Sequence, residues 1–280
     1  MNDILVKKSS GELVPFSMKK LKYSLEKSGA SQAAIKQIAH AVEGLVVEGM
    51  STKKIYRHAY NLLKKIHKPT AARYKLKKGI MELGPSGYSF EKFVGELLKH
   101  QGYGTQVGEI VKGKCVSHEI DVIAEKDGEH YMIECKYHNS AGTKTDVKVP
   151  LYIQSRFIDV QHSWKKLPGH EAKFHQGWVI TNTQFTTDAI DYGTCVGLNL
   201  ISWNYPLQES LKDIIDRLKL YPLTCLSSIT KTEKKKLLDK NMVLCKELCN
   251  APDQLKKVGI SANRTRTILE EAHNLCNGIF

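Results

Sequence analysis

The pair Asp127-Gly128 stands between two runs in which apolar and polar residues alternate, IDVIAE and EHYMIECKY. Asp-Gly readily supplies the positive φ angles of a tight hairpin turn, so residues 120–125 and 129–137 are expected as paired antiparallel strands. Side chains alternate along a strand. Met132, Glu134 and Lys136 therefore fall on one face and Tyr131, Ile133 and Cys135 on the other. A carboxylate and an ammonium thus share a face beside an apolar run, with Asp121 on the preceding strand. Burying such acids without a counter-charge is costly, and a hard divalent cation would supply one. The same spacing alone also suits a half-exposed hairpin with ordinary surface charges.

The chain has 280 residues, 41% of them hydrophobic, enough for two or three domains with cores of their own. No apolar run approaches the roughly 20 residues of a membrane span, and MNDILVKKSSGELV lacks the apolar stretch of a signal peptide. A cytoplasmic protein is expected. The seven cysteines are scattered without a CxxC pair, so reduced structural thiols are expected; Cys245 and Cys249 lie one helical turn apart, as on a buried helix face. The net charge of +13 is unevenly spread. Residues 1–85 carry 17 Lys/Arg against 6 Asp/Glu, residues 86–205 carry 12 against 14, and residues 206–280 carry 13 against 9. An acidic centre between basic flanks suits a polyanionic partner, although a basic balance also simply favours solubility.

Gly84-Pro85-Ser86-Gly87 is a breaker cluster and marks a boundary. Beyond it the pattern predicts a helix capped by Ser89 with Phe90, Phe93, Val94, Leu97 and Leu98 on one stripe, and a strand over 105–111. The hairpin follows, then a helix over 150–164, a strand over 177–181, a helix over 186–196 and a strand over 198–203. This order, with Asp121, the hairpin and Glu134-x-Lys136, resembles the PD-(D/E)xK nucleases, most nearly the Mrr-type restriction endonucleases. The resemblance implies a restriction-endonuclease-like α/β core in which Asp121 and Glu134 bind Mg²⁺. Lys136 would assist the attacking water or the charged transition state. Phe90-Glu91 matches the opening of the first helix in that family, which makes Glu91 a third metal ligand. The glycine-rich lead into the aspartate is replaced here by Ser117-His118-Glu119. Lys148, Gln154 and Arg156 follow the catalytic strand, and Gln154 and Arg156 are expected to contact DNA. His118 and His138 flank the site and are expected to be partly solvated.

Residues 1–85 open with two short strand candidates, 4–8 and 12–16, and continue in helices capped by Ser17, Ser31 and Ser51. Pro69 is expected to stop the third helix, and 70–83 forms a fourth. The pattern V-K-K-x-x-G-E-x-x-x-F-x-x-x-K-L at residues 6–21, with AARYKLKKGI at 71–80, resembles the ATP-cone. That family is a regulatory module that binds ATP or dATP, which implies that Lys7, Lys8 and Lys20 face nucleotide phosphates. Ser9 stands where the family usually has arginine. A basic helical cap on the DNA backbone is the alternative reading of this segment.

Residues 206–280 read as helices: one from Pro206, then 231–240, 243–249, 252–258 and 262–275. DQLKKVGIS followed by a basic helix resembles a helix-hairpin-helix or SAM-like module. Gly259, Arg264 and Arg266 would then meet a DNA phosphate, and a protein-interaction bundle is the alternative.

The expectation is a multidomain α/β protein. Its parts are a helical ATP-cone with an N-terminal hairpin (1–85), a restriction-endonuclease-like core (86–205) and an all-α C-terminal module (206–280). Its expected activity is Mg²⁺-dependent DNA cleavage controlled by ATP or dATP. The alternative is a catalytically inactive, nucleotide-responsive DNA-binding or oligomerising sensor. DNA and a nucleotide are the expected partners, with no membrane, and a homo-oligomer is left open.

Overall fold

The computed structural model describes residues 4–164, 166 and 174–277. In chain order its first elements are β1 (Leu5–Lys7), β2 (Leu13–Pro15), α1 (Met18–Lys27), α2 (Gln32–Glu43), α3 (Thr52–Ile66), α4 (Lys68–Tyr74) and α5 (Leu76–Met81). Next come α6 (Tyr88–Lys99), β3 (Gly104–Lys112), β4 (Ser117–Lys126), β5 (Glu129–Lys136), β6 (Lys144–Thr145), α7 (Lys148–Trp164), β7 (Phe174–Thr181) and β8 (Gln184–Phe185). The chain continues through α8 (Thr187–Cys195), β9 (Asn199–Ile201), α9 (Leu211–Leu218), a 3-10 turn (Leu223–Cys225), α10 (Lys231–Leu238), α11 (Cys245–Asn250), α12 (Asp253–Lys257) and α13 (Ala262–Asn277). These elements form two compact units. One draws on residues up to Glu82, on Ser140–Gly142 and on the chain from Tyr221 onward; the other holds Leu83–Asn139 and Thr143–Leu220. Among the described residues no helix is long and apolar enough to cross a membrane.

In the first unit β1 and β2 pair antiparallel, Val6 opposite Val14. Ser17, Ser31 and Ser51 accept the N–H groups of Lys20, Ala34 and Lys54, each satisfying a donor that a helix start leaves open. The stripes they begin, Leu21/Leu25, Ile35/Ile38/Val42 and Ile55/Ala59/Leu63, meet in one core with Val6 and Tyr74. The single helix expected over 70–83 is two helices. Pro69 sits in the first turn of α4, where a missing N–H costs nothing, and His67 Nδ1 caps that turn. The break falls at Lys75, whose buried ammonium donates to the Thr224 carbonyl at 2.9 Å.

The segments expected as separate N- and C-terminal modules therefore share this unit. Leu223, Leu226, Leu237, Leu248, Ile268 and Leu275 are all buried within it. Gly79 shows how closely the two parts approach: a Cβ there would lie 2.4 Å from Cys225 Sγ, and Thr224 Oγ1 donates to the Gly79 carbonyl at 2.6 Å.

The second unit is built on a five-stranded sheet of order β3-β4-β5-β7-β9, antiparallel through β5 and parallel from there on. The parallel pairs follow from the helical connections, since a chain must cross over to re-enter a sheet in the same direction. The hairpin turn lies where Asp127-Gly128 predicts it, with φ of +53° and +79°. On one face α7 and α8 bring Ile153, Phe157, Val160 and Ala189 against Met132, Val179 and Leu200. On the other, Val94 and Leu97 of α6 line an apolar cavity with Trp178 and Ile180, which alternate with Val179.

Several boundaries differ from the expectation. Gly87, not Ser89, precedes α6, and Ser89 lies in its first turn. The helix expected from Pro206 begins at Leu211, because Ser210 and Asp213 form a reciprocal capping box there; it belongs to this second unit. The two-residue strands β6 and β8 pair in parallel and were not expected.

Candidate active site

Pairing of β4 with β5 runs from Lys126 opposite Glu129 to Val122 opposite Ile133 and stops there, one residue short of Asp121 and Glu134. Beyond that point β5 stays with β7 as far as Lys136, while β4 stays with β3 as far as Ser117. The strands part at the acidic pair. The Cys135 N–H is received across the gap by Asp121 Oδ2 at 2.7 Å, in place of a β4 carbonyl. A side chain that substitutes for a ladder bond is held in place by the fold itself.

Glu134 has 18% of its side chain exposed, and its Oε2 accepts from Arg156 Nη1 at 2.8 Å. Arg156 Nη2 also donates to the Glu119 carbonyl. Burial raises the Asp121 carboxyl against the opposing pull of the Cys135 N–H and of Arg156. Burial, then the Asp121 charge, raises Glu134 despite Arg156 and Lys136. Glu91, on the first turn of α6, is pushed up to about 7 by burial and then by Asp121, Glu119 and Glu134. The structure thus brings Asp121, Glu134, Lys136 and Glu91 within electrostatic reach of one another. Acids that raise one another's pKa in this way lack enough positive charge nearby.

Both histidines are partly exposed, as expected, and each is also hydrogen-bonded. His118 Nε2 pairs with Asp159 at 2.8 Å, and Asp159 also receives the Cys115 and Val116 N–H groups. His118 and these N–H groups hold the Asp159 carboxyl well below the usual range. His138 Nε2 bonds Thr145 Oγ1 at 2.8 Å, and burial followed by the Lys136 charge pushes its pKa down. Gln154 Oε1 is buried with no hydrogen-bond partner, and Lys148 is exposed. The Cys135 thiol is buried and raised by burial, which makes it inert.

Sequence reasoning missed the direct Arg156–Glu134 pair, the Glu119 contribution and the Asp159 clamp. A signal was present. Arg156 and Asp159 lie three apart, so both can face the same strand end from one helix.

In the first unit Lys7, Lys8 and Lys20 are exposed, and Lys8 Nζ pairs with Glu12 at 2.9 Å. Gly259 has φ +89° at the turn between α12 and α13. Arg264 is engaged by Glu233 and by the Ser228 carbonyl, and Arg266 pairs with Glu270 at 3.1 Å while remaining 86% exposed.

Comparison with known proteins places a restriction endonuclease domain (Mrr catalytic domain) over residues 84–204 and an AF1548-like C-terminal domain over residues 221–276. An uncharacterized protein of Archaeoglobus fulgidus is 38% identical over 177 residues, which is 63% of this chain and 95% of that one. The crystal structure of AF1548, a protein of unknown function, is similar with a TM-score of 0.57 and 36% identity. That match covers 69% of this chain and 100% of the other.

Proposed function

The chain belongs to the AF1548-like family and carries a restriction endonuclease domain, and on that premise we propose that it is a magnesium-dependent deoxyribonuclease. The observation that carries this reading is the parting of β4 and β5 at Asp121 and Glu134, with Lys136 two residues on. The donor set fits Mg²⁺: it is all oxygen, and burial, then a neighbouring carboxylate, disfavours its ionised form. Mg²⁺ is typically held by one or two carboxylates, with water and substrate oxygens completing its shell. Among the described residues no group of three His, Cys, Asp or Glu is gathered to hold a metal, so the fit is to an open site. Asp121 and Glu134 would bind the ion, Glu91 would add its charge from α6 without joining them in one cluster, and the ion would offset charge on the attacking and leaving oxygens.

The chain's own groups divide the remaining work. Lys136 donates to a nonbridging phosphate oxygen or to the attacking water, stabilising the charge that grows as water adds to phosphorus and the ester oxygen departs. Gln154 and Arg156 contact the strand through its phosphates, which positions it without reading sequence. Gly259, Arg264 and Arg266 supply a further backbone contact at the start of α13. At the N-terminus Lys7, Lys8 and Lys20 hold the phosphates of ATP or dATP, and the bound nucleotide sets the rate of cleavage. Plasmid nicking across a matrix of Mg²⁺, ATP and dATP tests the whole reading. Titration calorimetry with each nucleotide tests its second half: a Lys8→Ala, Lys20→Ala variant is expected to lose the heat of binding, and no heat with the unaltered protein rejects nucleotide control.

Stability provides a second measurement. The native Glu91 carboxyl titrates at about 7 against an ordinary 4.5, so between those values the folded chain holds more protons than the unfolded one. Its contribution is present at low pH and is lost as pH rises through about 7. Mg²⁺ is therefore expected to raise the melting temperature more at pH 8 than at pH 6. Glu134→Gln is expected to remove most of that difference. Equal shifts at both pH values, or none, would argue against the carboxylates as ligands.

A further inference from the structure

Arg156 lies in an arrangement that a simple structural ion pair does not require. Its side chain is 11% exposed, yet of its five N–H donors the carboxylate takes one, through Nη1 to Glu134 Oε2 at 2.8 Å. Nη2 goes to the Glu119 carbonyl, and Nε is buried without a hydrogen-bond partner. A guanidinium fork suits two parallel bonds to one carboxylate or phosphate, and here the fork is split between two elements. The ring of Tyr152, 62% exposed, lies beneath the guanidinium with its centroid 5.4 Å away, a face that tolerates several orientations of the cation. The backbone of Arg156 is fixed inside the 17-residue helix α7, so only the side chain is free to move. Two positive side chains, Lys136 and Arg156, offset the charges of Asp121 and Glu134. A divalent cation on Asp121 and Glu134 removes the need for Arg156 there, and a DNA phosphate brings new negative charge to the same place.

We propose that Arg156 is a displaceable counter-ion: it holds Glu134 until a divalent cation takes that carboxylate, and it then turns to a phosphate of the substrate strand. Binding of the cation and binding of the strand are thereby coupled through one side chain. The inference rests on the nuclease reading above, and its test separates the two.

The experiment titrates the full-length protein with Mn²⁺, without DNA, by calorimetry, using the unaltered chain, Glu134→Gln, Arg156→Met and Arg156→Gln. Expected is Mn²⁺ binding that Glu134→Gln abolishes and that both arginine variants tighten about tenfold, the order of effect of removing one competing ion pair. For cleavage, both variants are expected to show a raised KM for DNA and a plot of log KM against log salt shallower by about one phosphate contact. Two variants of different polarity guard against loss of fold in either, with thermal unfolding as the check. Arginine variants that bind Mn²⁺ more weakly, in step with Glu134→Gln, would make Arg156 a positioning residue for Glu134 and overturn the proposal. Unchanged Mn²⁺ affinity overturns it as well. Absence of Glu134-dependent binding in the unaltered chain would instead reject the metal site itself, and with it the premise.

Discussion

Asp121→Asn is expected to lower DNA cleavage by roughly a thousandfold or more, the scale on which removal of a group that meets transition-state charge is felt. DNA binding is expected to stay close to that of the unaltered protein, because phosphate contacts made elsewhere supply most of the affinity. Asparagine is the informative replacement. Its amide oxygen can still accept the Cys135 N–H that Asp121 Oδ2 holds at 2.7 Å, so the strand ends keep their spacing and only the charge is lost. Alanine would leave that N–H without its acceptor and mix a structural cost with the chemical one. The same substitution is expected to leave stability unchanged or slightly raised, since burial disfavours the ionised Asp121. Lys136→Ala is expected to match it in cleavage. Plasmid nicking at saturating Mg²⁺, beside a gel-shift assay, separates catalysis from binding, and undiminished cleavage by both variants would reject these residues as the catalytic set.

Glu82→Gln carries the largest expected loss of stability. Lys75 and Lys234 are both buried, and they share the Glu82 carboxylate at 3.4 and 3.2 Å and the Thr224 carbonyl at 2.9 and 2.7 Å. Two ammonium groups thus depend on one internal anion, with the more exposed Lys78 at 3.6 Å from its other oxygen. Removing the partner of a buried charge typically costs about 3–5 kcal/mol, since the charge stays buried and unpaired. Urea unfolding measures this directly. The pH dependence identifies the cause. Burial and then the neighbouring Lys75 charge push Lys234 down to about 8 from 10.5, so the folded chain releases that proton before the unfolded chain does. Through that window the unfolded state binds more protons, and stability rises with pH. Glu82 holds the Lys234 pKa up, so in the Glu82→Gln variant that proton leaves at lower pH still, and part of the loss is expected to be recovered as pH rises toward 8. Adding Lys234→Met is expected to restore stability further by removing the surplus charge. A loss below about 1 kcal/mol would place the cluster among exposed pairs, which contribute little.

Local rules carried much of the fold. The Asp127-Gly128 turn and the serine caps of α1, α2 and α3 all lie where short-range pattern predicts them. Each depends on residues within four positions of one another, so no knowledge of the rest of the chain is needed. Where local rules competed, they failed. Pro69 can close one helix or open the next, and the choice fell to His67, which supplies a cap. The helix expected from Pro206 starts at Leu211 instead, where the Ser210 hydroxyl and the Asp213 side chain form a cap the pattern did not reveal.

The acidic positions of the candidate site were legible because strand alternation and a two-residue turn determine register. Asp121, Glu134 and Lys136 follow from counting along one hairpin. Glu91 and Arg156 entered only through the family resemblance, since counting along the chain does not place a helix turn about 30 or more than 20 residues away, and the point at which β4 leaves β5 for β3 was not legible at all. Likewise the sequence marks Lys75, Glu82 and Lys234 only as three charges in a basic chain, and nothing near them predicts burial. Packing brings segments some 150 residues apart into one core, and the charges are trapped there because the apolar surface around them must be covered. Spacing along the chain decides which side chains share a face; only the closing of distant segments decides which of them lose water, and loss of water is what turns an ordinary charge into a reactive or structural one.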